Sequence, residues 1–231
     1  MRQTNLLTAL LAGSVLVTGC AEKPNGEETV ERAFQDVNVI EDTDLSDVML
    51  TVADPNEAIN HFQRTLKNNP SDIRATRGLA VSYGRAKRFT ESATTWRKVM
   101  SLPGSNNEDR VKYADALIRS GDWAKAEIEL DKVPPTYETF DRYRLEAMIA
   151  DSNKEWKKAD SFYEVSVGLT TKPAGTFNNW GYSKLTRGDY AGAERLFGEA
   201  IRQDDTLFTA KNNLVLARAA QRKYTLPVIP M

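Results

Sequence analysis

Cys20 and His61 are the one cysteine and the one histidine in a chain of 231 residues. That scarcity excludes a Cys/His zinc site and an intrachain disulfide, and any thiol–imidazole dyad would have to use this pair. Glu127, Glu129 and Asp131 come closest to a carboxylate cluster. On a helix, however, residues two apart point to different faces, so the trio reads as a solvated surface rather than an acid–base pair. His61 has no evident carboxylate partner in sequence and reads as a packing or surface residue. Neither a Gly-rich phosphate loop nor zinc-ligand spacing occurs. The expectation is therefore a protein that is not an enzyme and holds no metal or cofactor. The groups that remain suit binding. Arginines pair with carboxylates in fork geometry, and the pairs Asn178-Asn179 and Asn212-Asn213 carry amides that can donate to and accept from a peptide backbone.

The elements that must hold these groups repeat. A small residue is followed four positions later by a large one at Ala58/Phe62, Ser92/Trp96, Ala126/Leu130, Ala159/Tyr163 and Ala193/Phe197, with successive spacings of 34, 34, 33 and 34. Residues four apart share one helical face, so the small one lets a neighbouring helix approach and the large one fills the space beside it. An aromatic precedes the small residue by three positions at Phe89, Trp123, Trp156 and Tyr190, and these aromatics are expected to be core. Gly121-Asp122-Trp123 and Gly188-Asp189-Tyr190 suit a tight turn between two helices. The spacing and these residues resemble the tetratricopeptide repeat (TPR), most completely from Ala174 to Leu207, with Trp180-Gly181, Gly188, Tyr190, Ala193, Phe197 and Ala200 in place.

The resemblance implies an all-α superhelical solenoid over residues 39–223. It is read as five helical hairpins, 39–72, 73–106, 107–139, 140–173 and 174–207, plus a solvating, capping helix at 208–223. The first copy lacks the aromatic and glycine of its first helix. Copies three and four lack the closing proline, with Glu138 and Thr171 in that place. In such arrays the first helix of each hairpin lines the concave groove. By that register the groove carries Arg74, Arg77 and Arg85, then Lys112, Asp115 and Arg119, then Arg144 and Met148. Asn178, Asn179 and Tyr182 follow, and finally Asn212, Asn213 and Leu216. A groove basic at its N-terminal end and amide-lined at its C-terminal end implies a peptide ligand of acidic character. The same arginines could instead be solvated or attract the chain's own acidic stem.

Charge supports both readings. Lys plus Arg total 31 and Asp plus Glu 32, a formal net of −1, which argues against a nucleic-acid binder. Yet Cys20 to Ile59 holds 11 acidic and 2 basic residues, whereas Asn60 to Met231 holds 28 basic and 21 acidic. An acidic stem thus precedes a basic body.

The N-terminus reads as an address. Arg2 is followed by an apolar run from Leu6 to Val17, too short for a bilayer, which needs about 20 residues. Val17-Thr18-Gly19-Cys20 resembles the bacterial lipobox. The resemblance implies a signal peptide at 1–19 and a diacylglyceryl and N-acyl lipid on Cys20. Because Ala21 rather than Asp follows, it also implies an outer-membrane anchor facing the periplasm. Residues 20–38 then form a stem rich in glutamate. The tail, 224–231, is apolar and holds Pro227 and Pro230. It packs back as a lid or docks on a partner. Lipobox, stem, repeats, Asn-Asn pairs and this tail together resemble the TPR lipoprotein of the tight adherence (Flp pilus) secretion system, the TadD family. That resemblance implies a pilotin or assembly factor whose partner is the secretin or another pilus assembly protein. A pilotin of the type IV pilus and an envelope adaptor for peptidoglycan or outer-membrane assembly enzymes share the same build.

Overall fold

This computed structural model describes residues 42–225, with side chains from 45 to 221. The lipobox, Cys20, the stem and residues 226–231 of the tail lie outside the described residues. The unit from Ser46 to Met231 carries the repeats, and of the unit Met1–Leu45 the described part is the first turn of one helix.

The described residues hold helices and no strand: α1 (Asp42–Thr51), α2 (Pro55–Asn68), α3 (Ile73–Arg85), α4 (Phe89–Ser101), α5 (Asn107–Ser120), α6 (Trp123–Leu130), α7 (Phe140–Ser152), α8 (Trp156–Gly168), α9 (Ala174–Thr186), α10 (Tyr190–Gln203) and α11 (Phe208–Thr225). The fold is the all-α solenoid read from the repeat spacing, with four packed hairpins from α3 to α10 preceded by α1 and α2 and followed by α11. From α2 to α11 each helix packs on the next, while α5, α7, α9 and α11 also touch in succession as one layer. That layer positions the groove residues.

The repeat anchors are core. Phe62, Trp96, Leu130, Tyr163 and Phe197 are buried, as are their small partners Ala58, Ser92, Ala126, Ala159 and Ala193. On the first helices, Ala80, Ala114, Ala147 and Gly181 occupy one register position and are buried too. At Gly181 a Cβ would stand 2.7 Å from the Phe197 ring, so only glycine permits this approach. Local signals set the helix starts. Asp54 accepts from the Asn56 N–H ahead of Pro55, Asp72 from Ala75, and Asp189 from Gly192. Asn106 and Asp109 form a reciprocal capping box.

Four turns share one geometry. Asp122 N donates to Leu117 O at 2.9 Å and Gly121 N to Ile118 O at 3.0 Å. The same pair of bonds recurs from Arg88 and Lys87, from Glu155 and Lys154, and from Asp189 and Gly188. This is the Schellman closure, which needs a left-handed residue. Gly121 and Gly188 supply it at φ +91° and +84°; Lys87 and Lys154 are forced into it at φ 59° and 60°.

The structure departs from the sequence reading at three points. α6 ends at Leu130 after eight residues, because Pro134 and Pro135 cannot continue a helix. The irregular segment that follows is held by Arg142, which is buried and donates to Pro134 O at 2.7 Å, Tyr137 O at 3.2 Å and Glu146 at 2.9 Å. The last helix is described to Thr225 rather than to 223. It is also less polar than a solvating helix: Phe208, Val215 and Leu216 are exposed. Finally, the aromatics at the helix starts are not core. Trp123 is exposed, and Phe89, Trp156 and Tyr190 are half-buried.

Candidate functional site

The first helices create two hollows. The N-terminal one, about 370 Å³, gathers Val81 and Arg85 from α3 with Lys112, Asp115 and Arg119 from α5, above Trp96. The C-terminal one, about 610 Å³, gathers Asn178, Asn179 and Tyr182 from α9 with Asn212 and Asn213 from α11, beside Met148 and Asp151 of α7.

The cations of the N-terminal end are held by the protein itself. Arg77 grips both oxygens of Asp109 at 2.7 Å and donates to Gly104 O at 2.9 Å, tying α3 to the start of α5. Arg85 donates to Met49 O at 2.9 Å and Ala53 O at 2.7 Å, satisfying carbonyls at the C-terminus of α1. Arg119 pairs with Asp115 at 2.6 Å and its guanidinium lies 5.8 Å from the Phe89 ring. Arg144 bridges Asp115 at 3.1 Å and Asp141 at 3.2 Å, and Lys112 reaches Asp141 at 3.5 Å. The result is an alternating ladder of charges across α5 and α7. Arg119 and Arg74 are both exposed, and Arg74 has no pairing side chain among the described residues. These cations are paired within the protein: Asp109 meets Arg77 across 32 residues and Asp115 meets Arg144 across 29, while Asp115 and Asp141 also pair with Arg119 and Arg144 of their own helices. A pull on an acidic ligand is correspondingly reduced.

Asn178, Asn179, Tyr182, Asn212 and Asn213 line one hollow. Asn213 Nδ2 donates to Asn178 Oδ1 at 3.0 Å, linking α11 to α9 and leaving further donors and acceptors on both amides. Tyr182 is 54% exposed over the same hollow. The lining also includes residues that had no place in the sequence reading of the groove, among them Asp151, Trp123 and Trp156. Asp151 accepts from Tyr163 Oη at 2.8 Å and from Ser183 Oγ at 2.6 Å. Burial raises its pKa above the ordinary aspartate value, against the lowering effect of those two bonds. The signal was present in the repeat: the equivalent positions hold Gly84, Ile118 and Leu185, so a carboxylate there is anomalous. Behind the hollow, Asp160 collects Trp180 Nε1 at 2.6 Å, Arg187 at 2.6 and 2.8 Å, and Lys184 at 3.0 Å. Burial pushes its carboxyl up, but those donors together hold it below the usual range.

The remaining sequence candidates are structural. Glu129 is paired with Arg110 and Lys132, and Glu127 accepts from Asn153 at 3.0 Å. The His61 ring meets Phe62 edge-on. Among the described residues no group of three or more His, Cys, Asp and Glu side chains is placed to hold a metal ion, and no helix is long and apolar enough to cross a membrane.

This geometry is that of a tetratricopeptide-repeat scaffold. Residues 44–98 match the tetratricopeptide repeat family. The chain is 22% identical over 211 residues to the tetratricopeptide repeat protein 21 homolog of Caenorhabditis briggsae, covering 80% of this chain and 16% of that protein. It is 22% identical over 169 residues to stress-induced-phosphoprotein 1 of Caenorhabditis elegans, covering 71% and 52%. The chain therefore spans about half or less of these curated relatives. Among solved structures it is similar to the APC/C hetero-tetramer Cut9–Hcn1 (TM-score 0.71, 14% identity, 86% of this chain and 40% of that one). It is also similar to a thermophilic TPR protein of Thermus thermophilus (TM-score 0.62, 15% identity, 76% and 96%). A third is YrrB, described as a TPR protein with an unusual peptide-binding site (TM-score 0.56, 13% identity, 81% and 97%). At these identities the likeness establishes the fold. The repeat family thus matches residues 44–98, and the described array as a whole has the fold of solved TPR proteins.

Proposed function

We propose that this chain is an outer-membrane lipoprotein, anchored through acylated Cys20, that acts as pilotin or assembly factor for the secretin of a tight adherence (Flp) pilus. One observation carries the binding half of the reading: four asparagine amides and Tyr182 converge on a single hollow of about 610 Å³, a lining suited to holding an extended peptide. YrrB, of the same fold, is described as having a peptide-binding site, which supports that half. The lipobox Val17-Thr18-Gly19-Cys20 supports the anchoring half. Each buried CH₂ of an acyl chain contributes about 0.8 kcal/mol, so several chains hold a protein on a membrane where one does not. A secretin segment captured in the groove would travel to the outer membrane with the lipid.

The test is fractionation of secretin multimers in a strain lacking the gene, complemented by wild type or by Cys20→Ser. Multimers reach the outer membrane only with wild type on this proposal. Multimers that reach it in the deletion strain remove the pilotin role and favour an envelope adaptor.

A further inference from the structure

Three aspartates of the groove layer have basic partners and a fourth does not. Asp109 holds Arg77, Asp115 holds Arg119 and Arg144, and Asp141 holds Arg144 and Lys112. Asp151 accepts only the two neutral hydroxyls of Tyr163 and Ser183, one on each oxygen, and no ion pair reaches it among the described residues. A carboxylate has about four acceptor sites, so two remain unused. The nearby cations do not fill them. Lys184 and Arg187 are held by Asp160, Lys184 also by Asp189, and Arg187 stacks over Trp156 at 5.7 Å.

Among the described residues, those that line the C-terminal hollow include neither lysine nor arginine, and Asp151 is the one carboxylate among them. Around it stand Trp123 and Tyr182, both exposed. Exposed aromatic faces attract cations through the ring quadrupole. Amides complete the rim, suited to the polar backbone on either side of a side chain. Arg187 acts on this carboxylate only at a distance, so an acidic side chain would meet a carboxylate with no direct basic partner here and be repelled.

We propose that the hollow between α7, α9 and α11 is a specificity pocket for a lysine or arginine side chain of an extended peptide. Asp151 is the counter-charge, and Trp123 and Tyr182 flank the alkyl stem and cationic head. The proposal rests on the peptide-binding reading above and sets the polarity of its ligand. It reverses the acidic preference that counting charges along the sequence suggests.

Panning the full chain against phage-displayed random dodecapeptides tests this. The expected result is a consensus in which one position is fixed as Lys or Arg. That preference should correspond to about tenfold over the neutral isostere, the equivalent of ~1.4 kcal/mol. Asp151→Asn should erase it while leaving the flanking consensus, and Tyr182→Ala, an exposed change compatible with folding, should weaken all binders. A neutral or acidic consensus that still depends on Tyr182 overturns the charge preference and leaves peptide binding standing. No enrichment at all, or enrichment indifferent to both substitutions, overturns this proposal together with the assignment of the groove.

Discussion

Arg77→Ala should cost about 2–3 kcal/mol of unfolding free energy. Arg77 makes two bonds to Asp109 at 2.7 Å and a third to the Gly104 carbonyl at 2.9 Å. A hydrogen bond to a charged group contributes about 1.5–3 kcal/mol net. The arginine side chain is 30% exposed, so solvent screens its share, whereas Asp109 is 5% exposed and would keep an uncompensated charge in an almost closed site. The two considerations pull in opposite directions and leave the figure near the middle of the range. For a helical array of this size the expected fall in Tm is roughly 5–10 °C. Asp109 also accepts from the Asn106 N–H, so Asp109→Asn is the partner change that removes charge and spares the cap. Urea denaturation followed by circular dichroism on both single variants and the double variant gives the coupling, expected at about 1.5 kcal/mol or more. A coupling under about 0.5 kcal/mol would refute the reasoning, because Arg77 would then be a cation free to meet a ligand.

Other outcomes follow from the same geometry. Lys87→Gly and Lys154→Gly relieve left-handed lysines and should each stabilise by about 0.5–1 kcal/mol, additively in thermal melts because the turns are remote from each other. Gly181→Ala sets a methyl against the buried Phe197 ring and should destabilise by about 1–3 kcal/mol, whereas Gly198→Ala, with open space around it, should be neutral or mildly stabilising. Asp160 has a folded pKa below its unfolded value, so its contribution is complete above the unfolded pKa near ~3.9 and fades as pH falls through the folded one. Chemical denaturation of Asp160→Asn should therefore show a deficit at neutral pH that shrinks below about pH 4.

The architecture was legible because the small/large anchors sit on helix faces whose spacing depends on chain length alone. Phe62, Trp96, Leu130, Tyr163 and Phe197 recur at that spacing, and all five are buried. Glycine turns were legible where glycine is present. Lys87 and Lys154 adopt the same backbone without any residue-level signal, since packing of the two helices overrides the local preference. The short α6 was foreshadowed by Pro134-Pro135, but a repeat count treats all copies as equal in length. The amide hollow could be read because its residues face one way along each helix. The fate of the basic end could not, because Arg77 meets Asp109 and Arg144 meets Asp115 across 32 and 29 residues. Charge summed along a chain does not record which carboxylate a cation finds. Asp151 was missed for the complementary reason: its importance lies in the basic partner it lacks.

The closing helix has a further consequence. α11 stands where another hairpin would begin, yet it packs on α10 and α9 with no helix of its own repeat behind it among the described residues. In a solenoid each helix is stabilised by its nearest neighbours, so a helix packed on few neighbours opens locally at a lower free energy than one packed on several sides. Asn212 and Asn213 ride on that helix, whereas Asn178 and Asn179 ride on α9, which is embraced by α8, α10 and α11. The hollow thus has one fixed jaw and one compliant jaw. Amide hydrogen exchange should run faster along α11 than along α9 and slow there when the hollow fills, so that a ligand tightens the compliant jaw as it binds.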